Sequence, residues 1–154
     1  MKFFKNKVAL ITGAGSGIGL ETANILASYE VNLILVSKSN SALKLHKKLT
    51  KKNKKIKILS YALDITNEEN VIKIINESKI KFKKIDILIN SAGKTSFGTL
   101  ESTTLESWND IHNQNGTSTF LLCKHVVPLM KKNKFGKIVN ISSIAGRFRG
   151  MTFG

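Results

Sequence analysis

A glycine-rich segment near the start of the chain has the residue types and spacing of an anion-binding turn. The segment reads TGAGSGIG over residues 12–19; it follows the apolar run 8–11 and precedes an apolar pattern of helical spacing. Glycine permits a tight turn at positive φ and a close approach of the backbone to a ligand. The N–H groups and the positive dipole end of the following helix attract an anion. The segment therefore predicts a phosphate-binding turn.

The spacing of these glycines departs from the common dinucleotide fingerprint G-x-G-x-x-G. Counted from Gly13, the third glycine would fall at Ile18, and counted from Gly15 it would fall at Leu20. The observed pattern is T-G-x-x-x-G-x-G. A strand-to-helix turn without a ligand is the alternative interpretation, and the rest of the chain must distinguish the two.

Five apolar runs of strand length alternate with stretches of helical periodicity. We predict strands at residues 8–11, 31–36, 56–63, 85–89 and 137–141, with a long helix over about 104–131 before the last strand. Strands that alternate with helices form a parallel sheet covered by helices on both faces. The prediction is a single Rossmann-like, doubly wound α/β domain over residues 1–154.

Each predicted strand is followed directly by residues that could bind a ligand. In an open parallel sheet the carboxyl ends of the strands form the ligand-binding edge. The residues after the five strands are, in order, Gly13, Ser16, Gly17, Ile18 and Gly19; Ser37 and Lys38; Asp64 and Ile65; Asn90, Ala92 and Gly93; Ser142 and Ser143. This recurrence favours one ligand site over a set of ordinary turns.

Several motifs in register resemble those of the short-chain dehydrogenase/reductase family. They are the glycine motif 12–19, Asp64-Ile65-Thr66, the segment DILINSAG at 86–93, Trp108 followed by Asn115, and the last strand with its serines at 136–146. Ser91 stands where the family usually has a second asparagine. The resemblance implies hydride transfer between a nicotinamide cofactor and a carbonyl or secondary alcohol, with 3-oxoacyl thioesters among the candidate substrates. It also implies a homo-oligomeric full-length protein.

The end of the second strand indicates the coenzyme. A carboxylate there would bind the ribose diol of NAD and repel a 2′-phosphate. This chain has the hydroxyl of Ser37 next to the cation of Lys38, which favours NADP over NAD. The alternative is that Lys38 is an ordinary surface lysine. Asp64 is interpreted as an adenine-side contact or as the N-terminal cap of the next helix, and both roles could hold together.

The family register assigns roles to three further polar residues. Ser143 would hydrogen-bond the carbonyl oxygen of the substrate, with Ser142 as the fallback, and Asn90 would brace neighbouring strands beside the cofactor. Asn115 would hold a water of the proton relay. It lies beside Gly116 in a stretch that disfavours a helix, which predicts a local kink or a functional requirement. A solvated asparagine is the alternative.

The family's proton donor, a tyrosine in a Y-x-x-x-K pair beyond the serine, has no counterpart in this sequence. The only tyrosines are Tyr29 and Tyr61, predicted in the first helix and the third strand. We expect neither to reach the edge that carries Ser143. The chain as given is therefore expected to be an inactive fragment that lacks the C-terminal strands. The alternative is a non-catalytic dinucleotide-binding or interaction module.

The composition excludes several other classes of protein. The net charge is +15, but only Arg147 and Arg149 are arginines, and the dispersed lysines without interleaved aromatics do not indicate a specific nucleic-acid reader. A lysine-rich nucleic-acid binder is kept as a third hypothesis. One cysteine excludes an internal disulfide, and the three histidines lack metal-ligand spacing. No apolar segment predicts a membrane span, so a cytoplasmic location is expected.

Overall fold

The computed structural model describes residues 3–96 and 98–144, which form a five-stranded parallel sheet flanked by helices. The strands are β1 (Val8–Thr12), β2 (Asn32–Ser37), β3 (Ile58–Ala62), β4 (Ile87–Asn90) and β5 (Lys137–Asn140). The helices are α1 (Gly17–Ser28), α2 (Ser41–Lys52), α3 (Glu68–Phe82), α4 (Leu105–His112) and α5 (Ser118–Lys132). The α/β prediction is confirmed, with strand bounds shifted by one to two residues at most ends.

The order of the strands creates a switch point in the sheet. The order is β3-β2-β1-β4-β5, and every pair is parallel. The chain runs outward from β1 to β3 and then returns to the other side of β1. The connections after β1 and after β4 therefore diverge, and a crevice opens between them at the carboxyl ends of the two strands.

Both faces of the central strand are covered. Val8 and Leu10 of β1 belong to one buried apolar cluster, together with Ile74 of α3 and Leu122 of α5. Ala9 and its alternate neighbours belong to a second cluster with α1 and α2. Because successive side chains of a strand point to opposite faces, burial on both faces requires the continuous apolar run seen in the sequence.

The predicted long helix is interrupted where the sequence disfavours it. A π-helical turn, Asn113–Thr117, separates α4 from α5. The hydroxyls of Ser118 and Thr119 donate hydrogen bonds to the carbonyl oxygens of Gln114 and Asn115, at 2.6 and 3.0 Å. Such bonds satisfy carbonyl groups of the widened turn, and π turns of this kind are frequent at functional sites. The irregularity expected around Asn115 is therefore present as a π turn.

The described residues contain neither a candidate membrane span nor a candidate metal site. Over 3–96 and 98–144, no helix has the length and apolar character needed to cross a membrane. In the same ranges, no three His, Cys, Asp or Glu side chains converge in an arrangement that could hold a metal ion.

Candidate functional site

A cleft of about 760 Å³ lies at the carboxyl edge of the sheet, at the switch point between β1 and β4. Most of the predicted cofactor residues line it: Gly13, Ser16, Gly17, Ile18, Ser37, Lys38, Asp64, Ile65, Ala92 and Gly93. Gly19 and Asn90 do not line the cleft; both are buried. The structure thus brings the residues after four separate strands to a single cavity.

The glycine turn and α1 are in direct backbone contact. Gly13 has φ of 63°, and a Cβ there would lie 2.8 Å from the carbonyl oxygen of Ser91. A Cβ at Gly19 would lie 2.4 Å from the carbonyl oxygen of Gly13. Real Cβ atoms do not approach oxygen so closely, so any side chain at Gly19 would push α1 away from the turn.

The first turn of α1 faces the cleft with its backbone donors. Ser16 occupies the N-cap position without a side-chain capping hydrogen bond, and the first turn contains no acidic residue. The first N–H groups of a helix have no intrahelical acceptor, and they carry the positive end of the helix dipole. Together with the glycine turn, this helix start fits the pyrophosphate of a dinucleotide.

Thr12 is a site residue that sequence reasoning missed. Its buried hydroxyl oxygen accepts hydrogen bonds from the backbone N–H groups of Ser91 and Ala92, at 3.1 and 3.0 Å. The hydroxyl therefore ties the end of β1 to the residues that follow β4 and fixes the floor of the cleft. In the sequence, Thr12 is marked only as the first residue of the T-G-x-x-x-G-x-G pattern, which says nothing about the partners of its hydroxyl.

Asn90 braces two strands, as predicted. Its side-chain amide donates to Oδ1 of Asn140 at 2.8 Å and contacts Sγ of Cys123 at 3.7 Å. Asn90 and Asn140 are directly paired in the ladder between β4 and β5. The contact links the two strands to α5 immediately beneath the cleft.

Asn115 connects the π turn to the loop after β4. Its Oδ1 accepts a hydrogen bond from the backbone N–H of Lys94 at 2.8 Å, and its Nδ2 donates to the Lys94 carbonyl oxygen at 2.9 Å. A Cβ at Gly93 would lie 3.1 Å from the same Oδ1. The side chain therefore holds the backbone that forms one wall of the cleft.

We expect Asn115→Ala to lower the free energy of unfolding by about 1–3 kcal/mol, because both bonds to Lys94 are lost. Thermal unfolding followed by circular dichroism measures this effect. Asn113→Ala is the matched control in the same turn: its Oδ1 accepts an exposed hydrogen bond from the Thr117 hydroxyl, so we expect a change below about 0.5 kcal/mol. Equal losses in the two variants would contradict this role for Asn115.

The charges that line the cleft are balanced. Lys38 Nζ lies 2.7 Å from an Asp64 carboxylate oxygen, and Lys94 forms an ion pair with Asp110. Partial burial works to raise the pKa of Asp64, but hydrogen bonds from Lys38 and Thr66 outweigh it and leave that pKa lowered. The described residues that line the cleft thus have no excess of cations, so the helix start is the feature of the lining that favours an anion.

The residues at the end of β2 have partners within the protein. The Ser37 hydroxyl group accepts a hydrogen bond from the backbone N–H of Ala42 at 3.0 Å and donates one to the carbonyl oxygen of Ser39 at 2.6 Å.

Asp64, which follows β3, accepts hydrogen bonds from the backbone N–H and the hydroxyl of Thr66, whereas Asn67 caps the next helix, α3. The capping alternative for Asp64 is therefore wrong.

Ser143 and the two tyrosines lie in different parts of the molecule. Ser143 is exposed and follows β5 by three residues; Ile141, between them, lines the cleft. The Tyr61 hydroxyl donates to Glu77 on α3 at 2.8 Å, and burial raises the pKa of this phenol. Tyr29 stacks on Phe4 at the opposite edge of the sheet. As predicted, neither tyrosine reaches the cleft.

The chain is similar in sequence to a known protein family and to named proteins. The family described as short chain dehydrogenase matches residues 7–154. A 3-oxoacyl-[acyl-carrier-protein] reductase of Vibrio cholerae is 35% identical over 142 residues, which cover 92% of this chain and 57% of that protein.

Solved structures agree with the sequence match. NAD⁺-bound xylitol dehydrogenase superposes with a TM-score of 0.90 at 31% identity, covering 98% of this chain and 58% of that one. The L-sorbose reductase of Gluconobacter frateurii, complexed with NADPH and L-sorbose, has a TM-score of 0.82 at 29% identity, covering 87% and 51%. The chain therefore spans between half and two thirds of the length of these relatives.

Proposed function

The chain belongs to the short-chain dehydrogenase family, and on this premise we propose that the protein is an NADP(H)-dependent oxidoreductase. The proposed reaction moves a hydride between the nicotinamide and the carbonyl carbon of a small substrate. The observation that carries the proposal is the glycine turn, which packs against α1 so that the helix start opens into the cleft of the switch point. This arrangement fits a dinucleotide pyrophosphate.

In this proposal the residues of the chain bind the coenzyme and orient the substrate. The N–H groups of the first turn of α1 bind the pyrophosphate, and Thr12 holds the β4 exit against the glycine turn. Ser143 donates a hydrogen bond to the substrate oxygen and stabilises its developing negative charge. Asn115 fixes the Lys94 backbone and orders the water of the proton relay. The cofactor supplies the hydride.

The substrate is proposed to be a carbonyl compound or the corresponding secondary alcohol. The relatives named above are a 3-oxoacyl-[acyl-carrier-protein] reductase, a xylitol dehydrogenase and an L-sorbose reductase. Assays of the whole protein with a 3-oxoacyl thioester and with a keto sugar, following NADPH absorbance, test this proposal. Failure of every carbonyl substrate in spite of tight NADPH binding would favour a non-catalytic dinucleotide-binding module.

We propose that Lys38 selects NADP over NAD. Its ammonium group has three donor hydrogens, so it can bind a 2′-phosphate while it keeps the bond to Asp64. The same bond and charge raise the pKa of Lys38, which therefore stays cationic. Within residues 3–96 and 98–144, Asp64 forms the ion pair with this ammonium group, and the charge of Asp110 also acts on it.

We expect Lys38→Ala to weaken NADPH binding about tenfold and to leave NADH binding within about twofold, because only NADPH carries the phosphate. Separate fluorescence titrations of the two coenzymes measure both constants. Lys44→Ala removes an exposed lysine from the first turns of α2 and serves as the charge-matched control. A preference for NADPH that survives in Lys38→Ala would show that Lys38 does not select the coenzyme.

We further propose that the chain by itself binds the coenzyme without turning over substrate. The residues that line the cleft include no tyrosine, and both tyrosines of the sequence have partners elsewhere. Titration of the isolated chain with NADPH, alongside a turnover assay, tests the two halves of this statement separately.

A further inference from the structure

The positive charge of the protein is concentrated at the edge of the sheet opposite the cleft. We call this edge the basic pole; it consists of the segments before the five strands, residues 3–7, 29–31, 51–57, 79–86 and 131–137. They read FFKNK, YEV, KKNKKIK, KIKFKKID and KKNKFGK, with fifteen lysines and two acidic residues. The pole therefore carries thirteen of the fifteen net positive charges, and the rest of the chain is nearly neutral.

The topology brings these segments together. In a parallel sheet all strands begin at one edge, so the last turns of the preceding helices lie there too. Lys51 and Lys52 lie in the last turn of α2, and α3 and α5 end in the same way. The acidic residues Glu68 and Glu69 lie in the first turn of α3, at the other edge.

The pole contains many more lysines than carboxylates that could pair with them. Glu30 pairs with Lys5 and Lys55, and Asp86 pairs with Lys7 and Lys84. These are the ion pairs of the pole within the part of the chain that the structure describes. Eleven further lysines share the edge without a carboxylate, and like charges in such proximity repel one another.

Helix electrostatics account for only part of the pattern. Cations at helix C-termini are favourable, but the effect is confined to the last turn. Lys83 and Lys134 lie beyond the ends of α3 and α5 with φ of 65° and 51°, where glycine or asparagine is usual. Lysine therefore occupies two positions that the backbone conformation disfavours, although both lie at the negative end of a helix dipole.

Apolar side chains accompany the charge. Phe3 and Ile80 lie at the same edge, and 57% and 80% of their surfaces are exposed. Nucleic-acid surfaces use arginine for bidentate contacts, and the pole contains no arginine. Phe3 could stack on a base, but the more exposed Ile80 could not. Lysines with protruding apolar side chains fit the headgroup region of an anionic bilayer.

We propose that the basic pole binds the surface of an anionic lipid bilayer, with Phe3 and Ile80 at headgroup depth. The cleft lies at the opposite edge of the sheet, so this orientation leaves it open to the solution. Each lysine close to an anionic membrane surface contributes about fivefold to the partition coefficient at moderate salt. The proposal does not depend on the coenzyme or on the reaction assigned to the cleft.

Co-sedimentation of the purified protein with vesicles tests the proposal. We expect binding to vesicles of phosphatidylcholine mixed with phosphatidylglycerol at about 0.1 M salt, and loss of most of it at about 1 M salt, where charges are screened within ~3 Å. Vesicles of phosphatidylcholine alone should bind at least about 20-fold more weakly. Equal binding to both kinds of vesicle, or binding to neither, would overturn the proposal.

Two quadruple variants with the same loss of charge locate the binding surface. The pole variant carries Lys52→Gln, Lys54→Gln, Lys83→Gln and Lys132→Gln, and the control carries Lys44→Gln, Lys47→Gln, Lys48→Gln and Lys73→Gln. All eight side chains are exposed, so both variants should fold. We expect the pole variant to partition at least about 20-fold more weakly and the control to change less than about threefold. Equal losses would show a general charge effect and overturn the proposal.

Two further measurements test the apolar contribution of Ile80 to membrane binding and the alternative that the pole binds nucleic acid. Ile80→Ser should reduce vesicle binding about threefold or more, whereas Leu100→Ser, at a site 76% exposed but outside the pole, should not. Identical behaviour of the two variants would overturn the insertion of Ile80.

If single-stranded RNA of mixed sequence displaces the protein from anionic vesicles at equal phosphate concentration, the pole is a nucleic-acid surface instead.

Discussion

We expect Ser143→Ala to lower kcat of the whole protein by about 10²–10³-fold and to leave NADPH affinity within about twofold. The first effect follows because a hydrogen-bond donor aimed at a developing oxyanion contributes about that much to rate. The second follows because Ser143 is absent from the residues that line the cleft. Steady-state kinetics and a coenzyme titration on the same preparation measure the two quantities.

Ser142→Ala is the matched control for this prediction. Both serines are exposed and adjacent after β5, so the two variants remove the same group from neighbouring positions. We expect kcat of Ser142→Ala to stay within about threefold of the parent. A larger loss in Ser142→Ala than in Ser143→Ala would transfer the assignment to Ser142, the alternative that the sequence left open.

We expect Gly19→Ala to destabilise the fold by about 2–3 kcal/mol and to weaken NADPH binding at least about tenfold. The new Cβ would lie 2.4 Å from the carbonyl oxygen of Gly13, and backbone cannot give way as a flexible side chain can. To remove this steric clash α1 must shift, and the backbone N–H groups that are proposed to bind the pyrophosphate shift with it. Urea unfolding and a coenzyme titration report the two consequences.

Gly116→Ala separates this steric effect from a general effect of replacing glycine. A Cβ at Gly116 would meet nothing within 4 Å, and the residue lies in the π turn between α4 and α5. Because alanine loses less backbone entropy on folding, we expect unchanged or slightly increased stability, by up to about 1 kcal/mol. If Gly19→Ala behaves like Gly116→Ala, α1 does not need its close contact with the turn.

The elements of the fold could be predicted because their causes are local. The run at residues 8–11 is apolar on both faces, and such a strand is buried in a parallel sheet. The irregularity of the helix around Asn115 could also be predicted locally, because Asn and Gly disfavour a regular helix. The structure confirms both the strand and an interruption at residues 113–117.

The contacts of the site could not be predicted in the same way. Thr12 binds amides that lie about eighty residues further along the chain, and it does so because β4 returns to the side of β1. The bond between Lys38 and Asp64 likewise requires β2 and β3 to be neighbours. Sequence spacing contains no distance between such residues.

The sequence by itself determined the strand–turn–helix start, the family resemblance and the total charge of the protein. These depend on residue types at short separations, where backbone geometry and periodicity dictate the outcome. Tertiary structure alone decided that Thr12 and Asn115 hold the walls of the cleft, that its lining charges are balanced, and that the lysines share one edge. The physical reason is that a parallel sheet collects the ends of distant segments, so charges and hydrogen-bonding groups become neighbours only when the strands assemble.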